Sequence, residues 1–318
     1  MIPRFVRLAR GYVIVTENFF INWNINPMKR LTGILLIAIS AASFGTLAIF
    51  GRYAYADGMD TFTVLFLRFS IAAVLMASLL ITRREHLPRG RVLAQLIGMG
   101  ALGYVGQSFM YLTAINYASA GLVALLLYLY PFFVMMLSAI VFREKITRLK
   151  TIALVLALIG TALTVDPAGG QLIGALMAIT AAAIYSVYII VGTNVMKHVS
   201  AVQSSTVIFA SAGMVYGILT VINGAHFPSG NSGWFTMSGI VLIATVIPVV
   251  TFLAGLERIG PTNAAMLSTL EPVVTVLLAA WLFQERLNTV SLLGGGLILL
   301  AVVVLTRNEL RQIGPAEI

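Results

Sequence analysis

Glu271-Pro272-Val273-Val274-Thr275-Val276-Leu277-Leu278-Ala279-Ala280-Trp281-Leu282-Phe283-Gln284-Glu285 is the stretch that decides how the chain is read. It lies in an apolar run with one carboxylate near the middle and another just past the end. An earlier stretch, Tyr130-Pro131 through Arg143-Glu144, stands 141 residues before it and resembles it. Pro131, Leu137, Ala139, Phe142 and Glu144 match Pro272, Leu278, Ala280, Phe283 and Glu285. The match fails at one position, where Glu271 stands opposite Tyr130.

The same register extends outward. Leu31, Gly33, Leu35, Ala41, Ala42 and Gly51 recur as Leu172, Gly174, Leu176, Ala182, Ala183 and Gly192. Gly98 recurs as Gly239, Leu112 as Leu253 and Ala124 as Ala265. Single identities mean little between apolar sequences, but one fixed register with matched proline and glutamate landmarks means more.

Of the 318 residues, 59% are hydrophobic and 10% charged, with a mean hydropathy of +0.98. A soluble domain carries roughly 25% charged residues, so the composition points to a polytopic helical membrane protein. Ten apolar runs follow, at roughly 31–54, 61–82, 92–113, 119–142, 149–166, 171–193, 202–223, 234–256, 261–283 and 289–306. Each is long enough to cross a hydrocarbon core of about 30 Å. The fold class expected is therefore all-α and polytopic, with ten transmembrane helices as two five-helix repeats, 31–166 and 171–306. Residues 1–30 read as an N-terminal cytoplasmic tail, or an interfacial helix, and 307–318 as a cytoplasmic C-terminal tail. Whether 1–27 belong to the natural protein is open, since Met28-Lys29-Arg30 would make an ordinary beginning.

Five is odd, so the second repeat enters the membrane from the opposite side and the repeats are inverted. That arrangement underlies alternating-access carriers with a midplane site. With the N-terminus in the cytoplasm, all of the 20 Lys and Arg except Arg52, Arg68 and Arg286 fall on cytoplasmic segments, as the positive-inside rule requires. The net charge of +9 is thereby explained without nucleic acid as a partner. The chain has no cysteine and three scattered histidines, His86, His198 and His226. Disulfides, thiolate sites and a metal site are not expected, and no cofactor is implied.

Ten helices in two five-helix copies resemble the drug/metabolite transporter superfamily, in its EamA-type branch. The residues that carry the resemblance are Leu67-Arg68-Phe69, the Pro131 to Phe142-Arg143-Glu144 segment, Gly260-Pro261-Thr262-Asn263-Ala264-Ala265-Met266, and Glu271-Pro272 to Phe283-Gln284-Glu285-Arg286. It covers about 31–306. The resemblance implies an inner (plasma) membrane carrier, usually an exporter of amino acids or other small metabolites, with a central cavity. A drug or other solute efflux carrier is the alternative. An intramembrane enzyme would need paired carboxylates, a His motif or a Ser/Lys dyad at matched depth, and none is present; the chain is read as no enzyme. The expected partners are a small-molecule substrate, the lipid bilayer and, as a candidate coupling ion, protons; the chain is expected as a monomer or weak homodimer.

The candidate substrate-binding or coupling residues are Glu271, Tyr130, Arg68, Gln107, Tyr104, Tyr111, Tyr185 and Tyr188. A carboxylate near mid-bilayer costs a few kcal/mol unless paired, protonated or hydrated, so Glu271 either faces the cavity or is held by a permanent partner. Arg68, the only basic residue away from the ends of a span, is about 10 Å deep against about 18 Å for Glu271. It could hold a substrate carboxylate, form a gate or an ion pair with Glu271, or snorkel to the headgroups. Tyr130 is the positional twin of Glu271, and Tyr128, about 200° away on a continuous helix, is not expected to share its face. Tyr104, Gln107 and Tyr111, spaced by three and four, share one face. Tyr185 with Tyr188, and Ser40 with Ser43 and Thr46, form similar polar stripes. Gly98, Gly100, Gly103 and Gly106 suit close helix approach. Pro131, Pro248 and Pro272 are candidate hinges. Glu144 and Glu285 are expected to pair with Arg or with backbone at the interface.

Overall fold

The computed structural model describes residues 27–115, 117, 123, 126–164, 172–283 and 289–311. Among these, the regular structure is helical throughout. In chain order the helices are α1 (Pro27–Gly45), α2 (Leu47–Ala56), α3 (Thr61–Thr82), α4 (Gly90–Gly98), α5 (Val105–Ile115), α6 (Tyr130–Val141) and α7 (Arg148–Thr164). Then come α8 (Leu172–Val195), α9 (Ala201–Asn223), α10 (Asn231–Val241), α11 (Ile247–Ile259), α12 (Pro261–Leu267), α13 (Glu271–Phe283) and α14 (Thr289–Arg311). Two π-helical segments, Met99–Tyr104 and Leu242–Val246, join α4 to α5 and α10 to α11. A 3₁₀ turn, Ser268–Leu270, joins α12 to α13.

Among the described residues, seven helical stretches are long and apolar enough to cross a membrane: Met28–Ala56, Thr61–Thr82, Gly90–Tyr111, Leu172–Val195, Ala201–Asn223, Asn231–Ile259 and Pro261–Leu282. The other three apolar runs contain α6, α7 and α14. A backbone in hydrocarbon must satisfy its own N–H and C=O groups, which is why these runs stay helical, with short π and 3₁₀ segments, from end to end. Large apolar side chains such as Val221, Phe235 and Ile140 point outward, while Phe69, Tyr216 and Ile189 are fully buried between helices.

The boundaries differ from the sequence expectation at both ends. The first helix begins at Pro27 rather than at 31, so the proposed tail is shorter by one turn. Proline is well suited there, because the first N–H of a helix has no intrahelical acceptor in any case. The last helix runs to Arg311, five residues into the stretch read as a tail. Residues 1–26 and 312–318, and with them most of both proposed tails, lie outside the described residues.

Helix pairing follows a consistent plan. α3 packs along α9, and α7 along α14. α1 packs on α11 and on α13, while α8 packs on α5 and on α6. α12 meets α6. Close approach is built in with glycine: a Cβ on Gly33 would lie 2.6 Å from Ile259, and one on Gly255 2.7 Å from Ile37. Of the four glycines expected to do this between α4 and the first turn of α5, Gly100 does so most tightly, since a Cβ there would clash with Ser211 Oγ and with the Ile208 carbonyl. Gly103 and Gly106 approach Tyr188 and Ile184 less closely, and Gly98 has nothing within 4 Å.

Both ends of the α3–α9 pair are tied by polar caps. Asp60 accepts from the N–H groups of Phe62 (2.8 Å) and Thr63 (3.1 Å) and from the N–H of His226 (3.2 Å) beyond α9. At the other end Ser200 and Gln203 form a capping box. Ser200 Oγ also bonds Glu85, and Gln203 Nε2 donates to the His86 carbonyl at 2.7 Å. Each cap satisfies N–H groups that a helix cannot satisfy itself.

Candidate functional site

Glu271 opens α13, directly after the 3₁₀ turn that ends α12. Pro272 has no N–H to offer the carbonyl four residues back, and the helix breaks at this point. The carboxylate is thus in the first turn of a half-helix, where the aligned peptide dipoles favour negative charge. Gly45 packs against the break: a Cβ there would meet the Glu271 carbonyl at 2.9 Å, and Thr275 Oγ1 donates to the Gly45 carbonyl at 2.9 Å. Tyr130 stands at the matching break, where a turn at 128–129 precedes α6 and Pro131 is its second residue. There Ser186, the counterpart of Gly45, donates to the Tyr130 carbonyl at 3.2 Å.

Four of the candidate tyrosines, Tyr104, Tyr188, Tyr185 and Tyr130, form one continuous line of rings. Phe69 meets Tyr104 edge to face at 5.1 Å between centroids, and Tyr104 meets Tyr188 in the same way at 5.8 Å. Tyr188 stacks on Tyr185 at 5.8 Å, Tyr185 meets Tyr130 at 4.8 Å, and Tyr130 is 6.5 Å from Tyr128. Tyr216 stacks on Phe69 at 5.8 Å and extends the line. Offset and edge contacts of this kind suit the ring quadrupoles. Tyr130 hydroxyl donates to the Ala265 carbonyl at 3.3 Å, which ties α6 to α12.

Ala265 lies six residues before Glu271, so the bond from Tyr130 to its carbonyl brings the Tyr130 end of the line to the Glu271 break. Glu271 itself, with Tyr104, Gln107, Tyr111 and Tyr185, is half-buried although it lies midway along the bundle. Among the described residues, no side chain donates a hydrogen bond to the Glu271 carboxylate and no cation forms an ion pair with it. Gln107 accepts from its neighbour Ser108 at 3.3 Å.

Two sequence expectations are corrected by this geometry. Arg68 is not ion-paired with Glu271, although it is the charge that acts on it. Arg68 is buried, with Nε donating to Thr245 Oγ1 at 2.6 Å and Nη2 to the Ala244 carbonyl at 3.3 Å. Its guanidinium also lies 5.0 Å from the Phe69 ring centre. The physical reason is local: α3 faces the π segment Leu242–Val246, which offers acceptors closer than the carboxylate. Snorkelling is likewise absent. Tyr128 shares the cluster with Tyr130, against the 200° argument, because that argument assumed an unbroken helix and the backbone turns at 128–129.

The three prolines all mark irregular backbone. Pro131 and Pro272 each occupy the second position of a half-helix. Pro248 follows the second π segment, and its carbonyl accepts from Ser40 at 2.8 Å. Of the Ser40, Ser43 and Thr46 stripe, Ser40 thus serves packing, and Thr46 bonds back to the Ser43 carbonyl. Sequence reasoning did not single out Thr245 or Ser186. A hydroxyl three residues before an intramembrane proline was the available signal for Thr245.

Glu144 has partners other than those expected. Its carboxylate is paired with Lys150, accepts from Ser138, and accepts from Thr262 Oγ1 at 2.8 Å. Burial alone would raise its pKa, but the Lys150 ammonium and these donors outweigh that and hold it below the usual carboxylate range. Asp60 behaves alike: partial burial opposes ionisation, and the bonds from Thr63, His226 and Phe62 overcome it, so its carboxyl titrates low. Glu285 lies outside the described residues. Among those described, no group of His, Asp and Glu could hold a metal ion.

The EamA-like transporter family matches the chain twice, at residues 31–166 and 172–307. An uncharacterized transporter, YcbK, of Bacillus subtilis (strain 168) is 24% identical over 284 residues, covering 84% of this chain and 90% of that protein. An uncharacterized transporter of Archaeoglobus fulgidus is 28% identical over 274 residues, covering 85% and 95%. The uncharacterized inner membrane transporter YedA of Escherichia coli (strain K12) is 25% identical over 247 residues, covering 75% and 79%. A solved crystal structure, 22% identical, superposes with a TM-score of 0.76 over 88% of this chain and 98% of that one, a likeness of fold alone. With both halves matched by one family, the chain belongs to the EamA-like transporter family and is a multi-pass membrane transporter.

Proposed function

We propose that the chain is a secondary carrier of small organic metabolites that bear a cationic amine, amino acids among them, working by alternating access round Glu271. In this reading ten spans form two inverted five-span repeats, both termini are cytoplasmic, and the membrane is the inner (plasma) membrane. The candidate site comprises Glu271, Tyr130, Tyr104, Tyr111, Tyr185, Tyr188 and Gln107, with Arg68 as a holder of the neighbouring helix. Pro131, Pro248 and Pro272 are the hinge positions.

Twofold pairing supports the inverted arrangement. Offset by 141 residues, α1 corresponds to α8, α5 to α11 and α6 to α13. The contacts α1–α11 and α1–α13 then have counterparts in α8–α5 and α8–α6. The π segments fall at corresponding places, and so do the breaks before Tyr130 and Glu271. Such pseudo-symmetry is the usual basis of rocking carriers, with broken helices at the site.

The observation that carries the functional reading is the Glu271 carboxylate: midway along its span, at a half-helix start, with no cation paired to it among the described residues. An intramembrane carboxylate is a functional site by default, because its cost has to be offset by something. The test is efflux from liposomes holding the purified protein, loaded with a panel of amino acids, amines, nucleosides and sugars, with and without a pH gradient. Wild-type protein should export a subset, and Glu271→Gln should abolish that export while inserting normally. Export by the variant at the wild-type rate at every pH would sink the reading.

A further inference from the structure

We propose that Arg68 has a second role besides holding the neighbouring helix: the free edge of its guanidinium, with the Tyr104 hydroxyl, is a binding site for a carboxylate on the transported solute. Solutes that carry a carboxylate are then favoured over the same molecules with that group turned into an amide. This rests on the reading of the chain as a carrier, and it adds a specificity-determining residue on a different helix from Glu271.

A guanidinium presents five N–H donors in one plane. Two of those on Arg68 are spent: Nε donates to Thr245 Oγ1 at 2.6 Å, and Nη2 to the Ala244 carbonyl at 3.3 Å. Nε and Nη2 share one edge of the plane, and consecutive residues of the π segment hold that edge. The second N–H of Nη2 and both of Nη1 have no acceptor among the described residues, and no carboxylate pairs with the guanidinium there. Arg68 is 4% exposed. Nη1 is not among the fully enclosed atoms that lack a partner, so that small exposure includes it. The end of the plane, with one N–H from each Nη side by side, matches the two oxygens of a carboxylate. The held edge fixes the direction of the free one, because Thr245 is itself fixed by donating to the Ile240 carbonyl at 2.6 Å. Little side-chain freedom is then lost on binding.

Three polar side chains meet on one ring. The guanidinium of Arg68 and the ring of Tyr104 both rest on Phe69, at 5.0 Å and 5.1 Å from its centre, which brings Tyr104 beside the guanidinium. Tyr104 is half-buried, so it too borders open space. Tyr216 stacks on the same ring at 5.8 Å, and its hydroxyl is fully buried with no hydrogen-bond partner. A cation held deep in a span, with three idle donors and only an aromatic face to offset its charge, is costly. A carboxylate at the free edge supplies the missing acceptors and the missing charge together. A carboxamide in its place offers one acceptor oxygen and no charge, and it sets an N–H₂ group against the arginine donors.

Matched pairs test this with one group changed: phenylalanine against phenylalaninamide, and tryptophan against tryptophanamide, each measured as labelled efflux and as competitor in liposomes holding the full chain. The acid should be favoured at least about tenfold in each pair, as a charge-assisted bidentate bond gives. Arg68→Lys keeps the charge but not the planar edge, and should cut that ratio to about threefold or less. Tyr104→Phe keeps the ring contacts and should lower it about two- to tenfold. A variant that merely carries less of everything leaves its ratio unchanged, and an unchanged ratio in either variant overturns the inference. If the lysine variant does not insert, the Tyr104→Phe ratio decides alone. Equal handling of acid and amide by the wild-type protein, or preference for the amide, overturns the inference and leaves the carrier reading standing. So does silence of both members while amines, sugars or nucleosides move. Silence across the whole panel overturns both.

Discussion

Arg68 Nη2 donates, at 3.3 Å, to the Ala244 carbonyl, the one that Pro248 four residues on has no N–H to reach. A side chain of one helix thus serves the backbone gap that a proline makes in another. The two residues should therefore be thermodynamically coupled. Arg68→Met should destabilise the wild-type protein more than it destabilises a Pro248→Ala protein, in which the alanine N–H can take over the carbonyl. A double-mutant cycle on thermal unfolding in detergent should give a coupling of about 0.5–2 kcal/mol. A coupling of zero would mean that the arginine and the proline act independently.

Thr245→Val probes the other half of the same anchor. The valine keeps the volume and removes both the acceptor for Arg68 Nε and the donor to the Ile240 carbonyl. A buried charged donor left without its acceptor costs about 1–3 kcal/mol. Thr245→Ser keeps the hydroxyl and should recover most of that loss. If serine is no better than valine, restoring the hydroxyl recovers nothing and the hydrogen bonds of Thr245 are not what holds the anchor.

Gly100 and Gly98 make a contrasting pair on one helical stretch. A Cβ on Gly100 would clash with Ser211 Oγ and with the Ile208 backbone oxygen, so moving the serine side chain alone cannot relieve it. Gly100→Ala should cost about 1–3 kcal/mol or more by forcing the π segment away from α9. A Cβ on Gly98 meets nothing within 4 Å, and Gly98→Ala should be neutral or stabilise by up to about 1 kcal/mol through helix propensity. Equal melting temperatures for the two variants would contradict the packing described.

The same contrast marks how much was legible in the sequence. Hydropathy and the 141-residue register located the runs, because lipid demands unbroken apolar helix and a duplication preserves landmarks such as Pro131 and Pro272. The correspondence of Tyr130 and Glu271, each just before a proline, was also within reach from the register alone. Distances between helices were not. Depth left an ion pair with Glu271 as one of three roles open to Arg68, but depth says nothing about which helix face meets which neighbour. The π segment at Leu242–Val246 that captures the arginine leaves no periodic signal in an all-apolar run. Tyr128 was set apart from Tyr130 by a helical wheel that the turn at 128–129 does not obey. Gly98 and Gly100 read alike in sequence, and only the position of α9 separates them.

Asp60 caps α3 and binds His226 beyond α9, so its removal should be felt at two helices. Asp60→Ala should cost about 0.5–2 kcal/mol as a lost N-cap. Asp60→Asn should cost less, because an amide oxygen still accepts from Phe62 and Thr63. Since the Asp60 carboxyl titrates below its ordinary value, its ionised form favours the folded state. That contribution is present above the unfolded pKa and is lost as pH falls through the folded one. The alanine and wild-type proteins should therefore converge in stability on acidification below about pH 4, read as melting temperature against pH. A gap that stays constant to strongly acid pH would separate the cap from the charge.

Glu144 joins the two halves of the chain, with Lys150 paired to it from the start of α7, Ser138 donating from α6 and Thr262 from the start of α12. The network contains one formal ion pair and two hydroxyls, so the ways of breaking it are unequal. Thr262→Val removes one neutral donor and should cost about 0.5–1.5 kcal/mol. Lys150→Met leaves a largely buried carboxylate without its cation and should cost about 3–5 kcal/mol. Glu144→Gln with Lys150→Met removes both charges together and should be less harmful than Lys150→Met alone. The pH dependence distinguishes this from simple packing loss. In the wild-type protein the depressed Glu144 pKa makes stability fall as pH drops below about 4.5. In Lys150→Met, burial is left without the opposing ammonium, so protonation relieves the buried charge and stability should hold or rise over the same acid range. Melting curves of the two proteins from neutral to acid pH decide it: parallel falls would show that Lys150 does not set the titration of Glu144.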